Sequence, residues 1–196
     1  MSIRGSTMDS VFTHVLDDDE KILWQEKPYF LLFVLNFSHL LIGFGALSLY
    51  LIFGSDEIKI LNDIVHFILL IYFFAPIIYL IAVYPNTFYA LTNRRVMFRG
   101  GFFGVDYASI DYDSIQNAAV NVNPLEKIFR VGTIQVFSGQ RDHNGTNVAH
   151  NICCIPFPYE TYKKMKSIAI DIKSDISYPN KLRPEDNPGY NSKYKK

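Results

Sequence analysis

The chain has 196 residues, 19 basic and 19 acidic side chains and no formal net charge, so it lacks the electrostatic footprint that a nucleic-acid backbone demands, and nucleic acid is excluded as a partner. That length holds one ordinary domain of about 100 residues plus additional segments. Its two cysteines, Cys153 and Cys154, are adjacent; neighbours rarely reach disulfide geometry, so no disulfide framework is expected and a reducing compartment suits the chain.

Residues 1–29 form a polar, acidic segment in which Asp17, Asp18, Asp19 and Glu20 follow one another. A secretory signal would open with basic residues and a short apolar core, so the segment is expected to be retained. Within it Val11, Phe12, Val15 and Leu16 repeat at helical spacing, and Ile22-Leu23-Trp24 reads as a short strand or interfacial anchor. The segment is read as a local cap on the main domain.

No charged residue occurs from Phe30 to Phe53, nor from Ile64 to Val83. Each run, coiled as a helix, is long enough for a hydrocarbon core of about 30 Å. Residues 30–84 are therefore predicted to be a transmembrane helical hairpin, with spans over 30–53 and 64–83. The connecting loop offers Lys59 beside Asp56, Glu57 and Asp63, whereas Lys21 and Lys27 precede the first span and Arg94, Arg95 and Arg99 follow the second. That asymmetry places both termini in the cytoplasm, with the lipid bilayer as a partner and Trp24, Tyr29 and Tyr84 as interface anchors. Asn36, His39, Gly43 and Ala46 fall on one face of the first span, where small and polar residues favour close helix packing. His39 has no carboxylate at matching depth in either span, so it is read as an interhelical hydrogen-bonding group rather than a proton carrier.

From Pro85 the pattern changes. Residues 85–174 break into short β-like runs at Phe88 to Leu91, Arg95 to Arg99, Tyr107 to Tyr112, Ile115 to Val122, Gly132 to Phe137 and Val148 to Ile155. Turn residues punctuate them, among them Gly100-Gly101, Asp113-Ser114 and Asn144-Gly145, the last a strong hairpin signal. Ile134 and Val136 alternate with Thr133 and Gln135, so one face of that strand should meet a core. Pro158 opens a helix whose apolar stripe is Tyr159, Tyr162, Met165, Ala169 and Ile172, expected to pack on the sheet. Residues 175–196, rich in Pro, Asn, Lys and Tyr, read as a flexible tail.

An apolar hairpin followed by Leu91-Thr-Asn-Arg-Arg95, a glycine pair, Asn123-Pro124-Leu-Glu-Lys-Ile-Phe129, Arg130-Val-Gly-Thr-Ile134 and a terminal helix resembles the hairpin-anchored bacterial PH-like domain membrane proteins. The resemblance runs from about Glu20 to Ile172. It implies a mostly β PH-like domain, a bent β sandwich capped by a C-terminal α-helix, carried by a multi-pass protein of the bacterial inner membrane. It implies a non-catalytic scaffold or assembly module that binds a protein partner or another copy of itself; the alternative is a sensor of anionic-lipid head groups at the inner leaflet.

The residues themselves agree that chemistry is sparse. There is no Gly-x-Ser-x-Gly elbow, phosphate loop or His-Glu-x-x-His, so no enzymatic activity and no cofactor are expected. His143, His150, Cys153 and Cys154 lack zinc spacing, because adjacent cysteines on a strand point to opposite faces, and no metal is expected. Arg94, Arg95 and Arg99, together with Lys127 and Arg130 beside the turn before Gly132, are the candidate lipid- or partner-binding residues.

Overall fold

The computed structural model describes residues 11–35, 43, 45–47, 49–50, 59–143 and 145–177. Two antiparallel sheets organise them. Strands β1 (Ile22–Glu26), β2 (Phe88–Thr92), β3 (Arg95–Gly100) and β4 (Asp106–Asp111) form one in that order; β5 (Asn117–Asn121), β6 (Val131–Arg141) and β7 (Asn147–Pro156) form the other. The described helices are α1 (Phe30–Leu35), α2 (Lys59–Val83), α3 (Pro124–Phe129) and α4 (Pro158–Ser177).

Period-two alternation creates the core. Tyr89 and Leu91 on β2, Val96 on β3 and Ile110 on β4 face Ile134 and Val136 on β6 and Ile152 and Ile155 on β7. Met165 and Ile168 of α4 close the open end of this sandwich. The expected PH-like arrangement of mostly β sheets with a C-terminal helix is therefore present. Its helical stripe is turned slightly from the expected one: Thr161, Met165 and Ile168 are buried, whereas Tyr159 is exposed.

Gly132 sets how closely α4 approaches β6. A Cβ there would meet Pro158 Cγ and Val122 Cγ2 at 2.8 Å each. On the facing strand, Gly132 pairs with Ile155 and Ile134 with Ile152, so Cys153 and Cys154 together oppose Thr133 in a β-bulge. Cys154 takes a left-handed φ of 51° in that bulge. Its carbonyl accepts the Tyr29 N–H at 2.8 Å, which fixes the chain at the start of α1.

The outer face of the first sheet is covered by the N-terminal segment. Phe12 is buried against Ala90 and Met97, with Val11, Val15 and Leu16 beside it. A buried clasp holds this cover. Glu20 accepts from Arg95 through Nε at 3.1 Å and Nη2 at 2.8 Å, and from the Thr92 hydroxyl at 2.6 Å. The same Arg95 Nη2 donates to the Val15 carbonyl at 2.9 Å. Ile22-Leu23-Trp24, read from sequence as strand or anchor, is strand: Trp24 pairs with Leu91 and packs on the core.

The transmembrane hairpin is corrected by the structure. Among the described residues no helix is long and apolar enough to cross a membrane. The first expected span is described as a helix over Phe30–Leu35 and at scattered helical positions beyond, and its remaining residues lie outside the described ones. The second falls in α2, whose opening sequence carries Lys59, Asn62, Asp63 and His66 and whose interior holds Pro76, which removes a helical hydrogen bond. The fold class with two spans, and with it the multi-pass inner-membrane location, is not supported. Of the expected packing face, Gly43 is helical and buried and Ala46 helical and exposed; Asn36 and His39 lie outside the described residues.

Burial raises the Glu20 carboxyl, but the Arg95 guanidinium, the Thr92 hydroxyl and the Asp17 N–H outweigh it and hold the group below its usual range. A depressed folded value gives stability that is present above the unfolded carboxylate range, about 4.3, and lost as pH falls toward the folded value. The stability difference between wild type and Glu20→Gln is therefore largest near neutrality and shrinks in acid, as read by urea titrations across pH; a difference that widens in acid has the wrong sign. Arg95→Ala leaves the carboxylate buried without its cation and lowers stability by about 3 kcal/mol or more, whereas a loss under about 0.5 kcal/mol, typical of surface positions, would contradict the clasp. Gly132→Ala overpacks the β6–α4 contact and costs about 1–3 kcal/mol in the same assay; an unchanged midpoint would mean that α4 moves away freely.

Candidate interaction surface

Helix α3 is short, and its sequence explains why it forms at all. Pro124 occupies the first turn, and Asn123 and Glu126 make a capping box in which the Asn123 N–H donates to Glu126 Oε2 at 2.7 Å. Glu126 is buried, and its other oxygen accepts the Thr133 hydroxyl at 3.1 Å and the Cys154 thiol at 3.7 Å. The one carboxylate of this helix thus points inward. What remains outside is apolar and cationic: Leu125, Ile128 and Phe129 are exposed, Ile128 at 74%, beside exposed Lys127 and Arg130. Arg130 ends the helix in the left-handed conformation at φ 56°, and neither Lys127 nor Arg130 has an ion pair among the described residues.

A chain of aromatic contacts continues from α3. Phe129 lies 5.7 Å from Tyr29, and the neighbouring Phe30 lies 4.9 Å from Tyr84, which follows the end of α2. Lys27 sits over the rings of Tyr84 and Phe88, and Arg99 over Phe88. At the far side is the β3–β4 tip. There the Asn86 amide donates to the Gly101 carbonyl at 3.1 Å and the Gly104 carbonyl at 3.4 Å. Gly101 turns the chain at φ 123°, where a Cβ would lie 2.4 Å from the Gly104 oxygen. This tight loop projects Phe103, which is 98% exposed, while Phe102 stacks on Tyr79 of α2 at 5.4 Å. Tyr79 belongs to an exposed apolar face that also includes Ile71, Phe74 and Ile78.

The second surface feature is the free edge of β4. The Tyr112 N–H donates to the Arg94 carbonyl at 3.3 Å, which fixes the phase of the antiparallel ladder: Ile110 and Ala108 bond to β3, and Tyr107 and Ser109 turn their backbone groups outward. No partner for those outward groups occurs among the described residues. The Tyr107 side chain is used elsewhere, its hydroxyl donating to the Val11 carbonyl at 2.9 Å.

The candidate cations read from the sequence therefore separate. Arg95 is committed to Glu20 and Arg94 lies 3.6 Å from Asp17, whereas Arg99, Lys127 and Arg130 stand along the aromatic rim. Of the expected interface anchors, Trp24 packs on the core, and Tyr29 and Tyr84 lie on the rim. Sequence reasoning missed Phe103 and Ile128; the signal was the run Gly100-Gly-Phe-Phe-Gly104, a turn without the polar residues that turns ordinarily carry.

The chemistry available is limited. Burial pushes the Cys153 thiol up and the buried Tyr89 hydroxyl well above its usual value, so neither ionises readily near neutrality. Among the described residues no group of His, Cys, Asp and Glu could hold a metal ion.

No curated protein matches this chain. Among solved structures, a DUF1696 family protein with a pleckstrin-homology domain from Shewanella loihica PV-4 is similar at 17% identity over 42% of this chain and 71% of that one, with a TM-score of 0.31. The bacterial PH domain family model matches residues 31–167. That match takes in α2, six of the seven described strands and the first half of α4 with buried Thr161 and Met165, and the chain accordingly belongs to the bacterial PH domain family.

Proposed function

We propose that the chain is a non-catalytic interaction module that recruits a protein partner by adding a strand to the free edge of β4. The observation that carries this reading is the outward row of backbone groups at Tyr107 and Ser109 on an exposed strand. An unpaired edge is a template for an extended segment, whose main chain supplies affinity and whose alternate side chains supply specificity. The opposite outcome, in which a protein hides such an edge, calls for covering segments, prolines or charges; β4 places Asp106 and Asp111 at its ends and leaves Tyr-Ala-Ser-Ile between them. Membership of the bacterial PH domain family and the raised thiol and phenol support a binding role over a chemical one.

Proline at Ser109 removes an outward donor and leaves the β3 ladder intact, a position where edge strands tolerate it. A photocrosslinking residue placed at Tyr107 in the full chain is expected to give a discrete protein adduct in producing cells, and Ser109→Pro to abolish it with little change in thermal transition. An adduct that persists in Ser109→Pro, or no adduct beyond that obtained from a probe at Asp142 on the β6–β7 hairpin, would reject strand addition at this edge.

A further inference from the structure

We infer that residues 189–196 of the chain itself add as a strand to the β4 edge and hold it closed until a partner strand displaces them. The inference rests on strand addition at β4 and names what regulates it.

Three observations lead there. First, α4 delivers the following chain to the right place. The helix runs along β5, where the Tyr162 hydroxyl donates to the Ala118 carbonyl at 3.4 Å, and reaches the β4–β5 connection, where the Lys173 ammonium donates to the Ile115 carbonyl. Ser177, the last residue of α4, is one turn further on, so the chain leaves the helix near the Asp111 end of β4. Second, proline admits one stretch only. Pro179, Pro184 and Pro188 cannot donate to a ladder, and residues 189–196 are the longest proline-free run after α4, eight residues against the six of β4. The intervening residues 178–188 reach at most about 40 Å, well beyond the length of β4, about 20 Å, so the run can lie along the edge in either direction. Third, the charges match. From Gly100 to Gln116 the chain has Asp106, Asp111 and Asp113 and no Lys or Arg. None of the three has an ion pair among the described residues; Arg95, opposite Asp111, is spent on Glu20. Residues 189–196 carry Lys193, Lys195 and Lys196 and no acid. In an extended strand Lys193 and Lys195 take one face and Lys196 the other, and Asp111 and Asp106 likewise stand on opposite faces of β4.

The family match ends at residue 167, so this segment lies outside the shared domain. Tethered beside the edge by its own linker, it acts at a high effective concentration. Weak pairing then suffices to occupy β4, and an incoming strand binds only if it pairs better. The same occupancy protects the edge from indiscriminate pairing.

The test is residue-resolved amide hydrogen exchange on the purified full chain. The outward N–H groups of Tyr107 and Ser109 are expected to be protected, and the combined change Lys193→Glu, Lys195→Glu and Lys196→Glu to lower that protection about tenfold or more; Arg at all three positions keeps it. The N–H groups of Ala108 and Ile110, bonded to β3, stay protected throughout, which separates release of the segment from loss of the fold. In producing cells the Glu variant is expected to raise the yield of partner adduct from the probe at Tyr107. Free exchange at Tyr107 and Ser109 in the full chain, or protection indifferent to the Glu variant, would overturn the proposal, and protection lost on dilution would do so in favour of a second copy of the chain. Any of these results with a persisting partner adduct leaves strand addition at β4 standing. Protection that depends on the three lysines, with no adduct even from the Glu variant, keeps the occupancy and rejects partner recruitment instead.

Discussion

Glu20 is a carboxylate taken almost wholly out of water, and it is tolerated because Arg95, the Thr92 hydroxyl and the Asp17 N–H surround it. Removing one member of such a set leaves the others desolvated and unmatched, which is why a buried pair is costly to break whatever its net worth. The geometry also knots the N-terminal segment to the β2–β3 turn. Lys21 and Asn93 exchange two bonds immediately beside the clasp, the Lys21 N–H donating to Asn93 Oδ1 at 2.8 Å and the Asn93 N–H to the Lys21 carbonyl at 3.1 Å. With its start fixed, β1 pairs along β2, and Phe12 is held over Ala90 and Met97. The outer face of the first sheet is thereby covered, and among the described residues the β4 edge and the aromatic end are left exposed.

A second inward carboxylate, Glu126, shapes that end. It satisfies the first turn of α3 and the bulged strand β7 at once, because the same side chain accepts from Asn123, Thr133 and Cys154. The bulge that places Cys154 there also offers its carbonyl to Tyr29 and so sets where α1 begins. Structure and surface chemistry are therefore linked: turning one acid inward completes the packing of α3, and it leaves the outer side of the helix without negative charge.

The strands were legible because half-buried antiparallel sheet writes itself as alternation. Expected runs such as Arg95 to Arg99 and Gly132 to Phe137 lie within the observed β3 and β6. Helix α3 was harder to see, since six residues are too few for a 3.6 period to show; its sign was the cap Asn123-Pro124-x-Glu126. On α4 the expected stripe failed only at Tyr159, which is exposed, whereas Tyr162, Met165, Ala169 and Ile172 pack in or against the core. The charge-free runs were read as spans on length and polarity, a criterion that does not register what else a chain does with such runs; the described helices do not meet the combined requirement. Arg95 was read as a surface cation because a sequence shows charge and not its partner. Glu20 lies far off in the chain, and only the fold brings the two together.

The most direct test of this account is a double-mutant cycle between Glu20 and Arg95, with Gln at the first position and Ala at the second, followed by urea unfolding near neutral pH. A coupling of about 1–3 kcal/mol, as expected for residues in one buried network, would show that the clasp holds the N-terminal cover to the sheet. Additive effects within about 0.5 kcal/mol, the range for independent sites, would contradict it and mean that the packing of Phe12 alone keeps the segment in place.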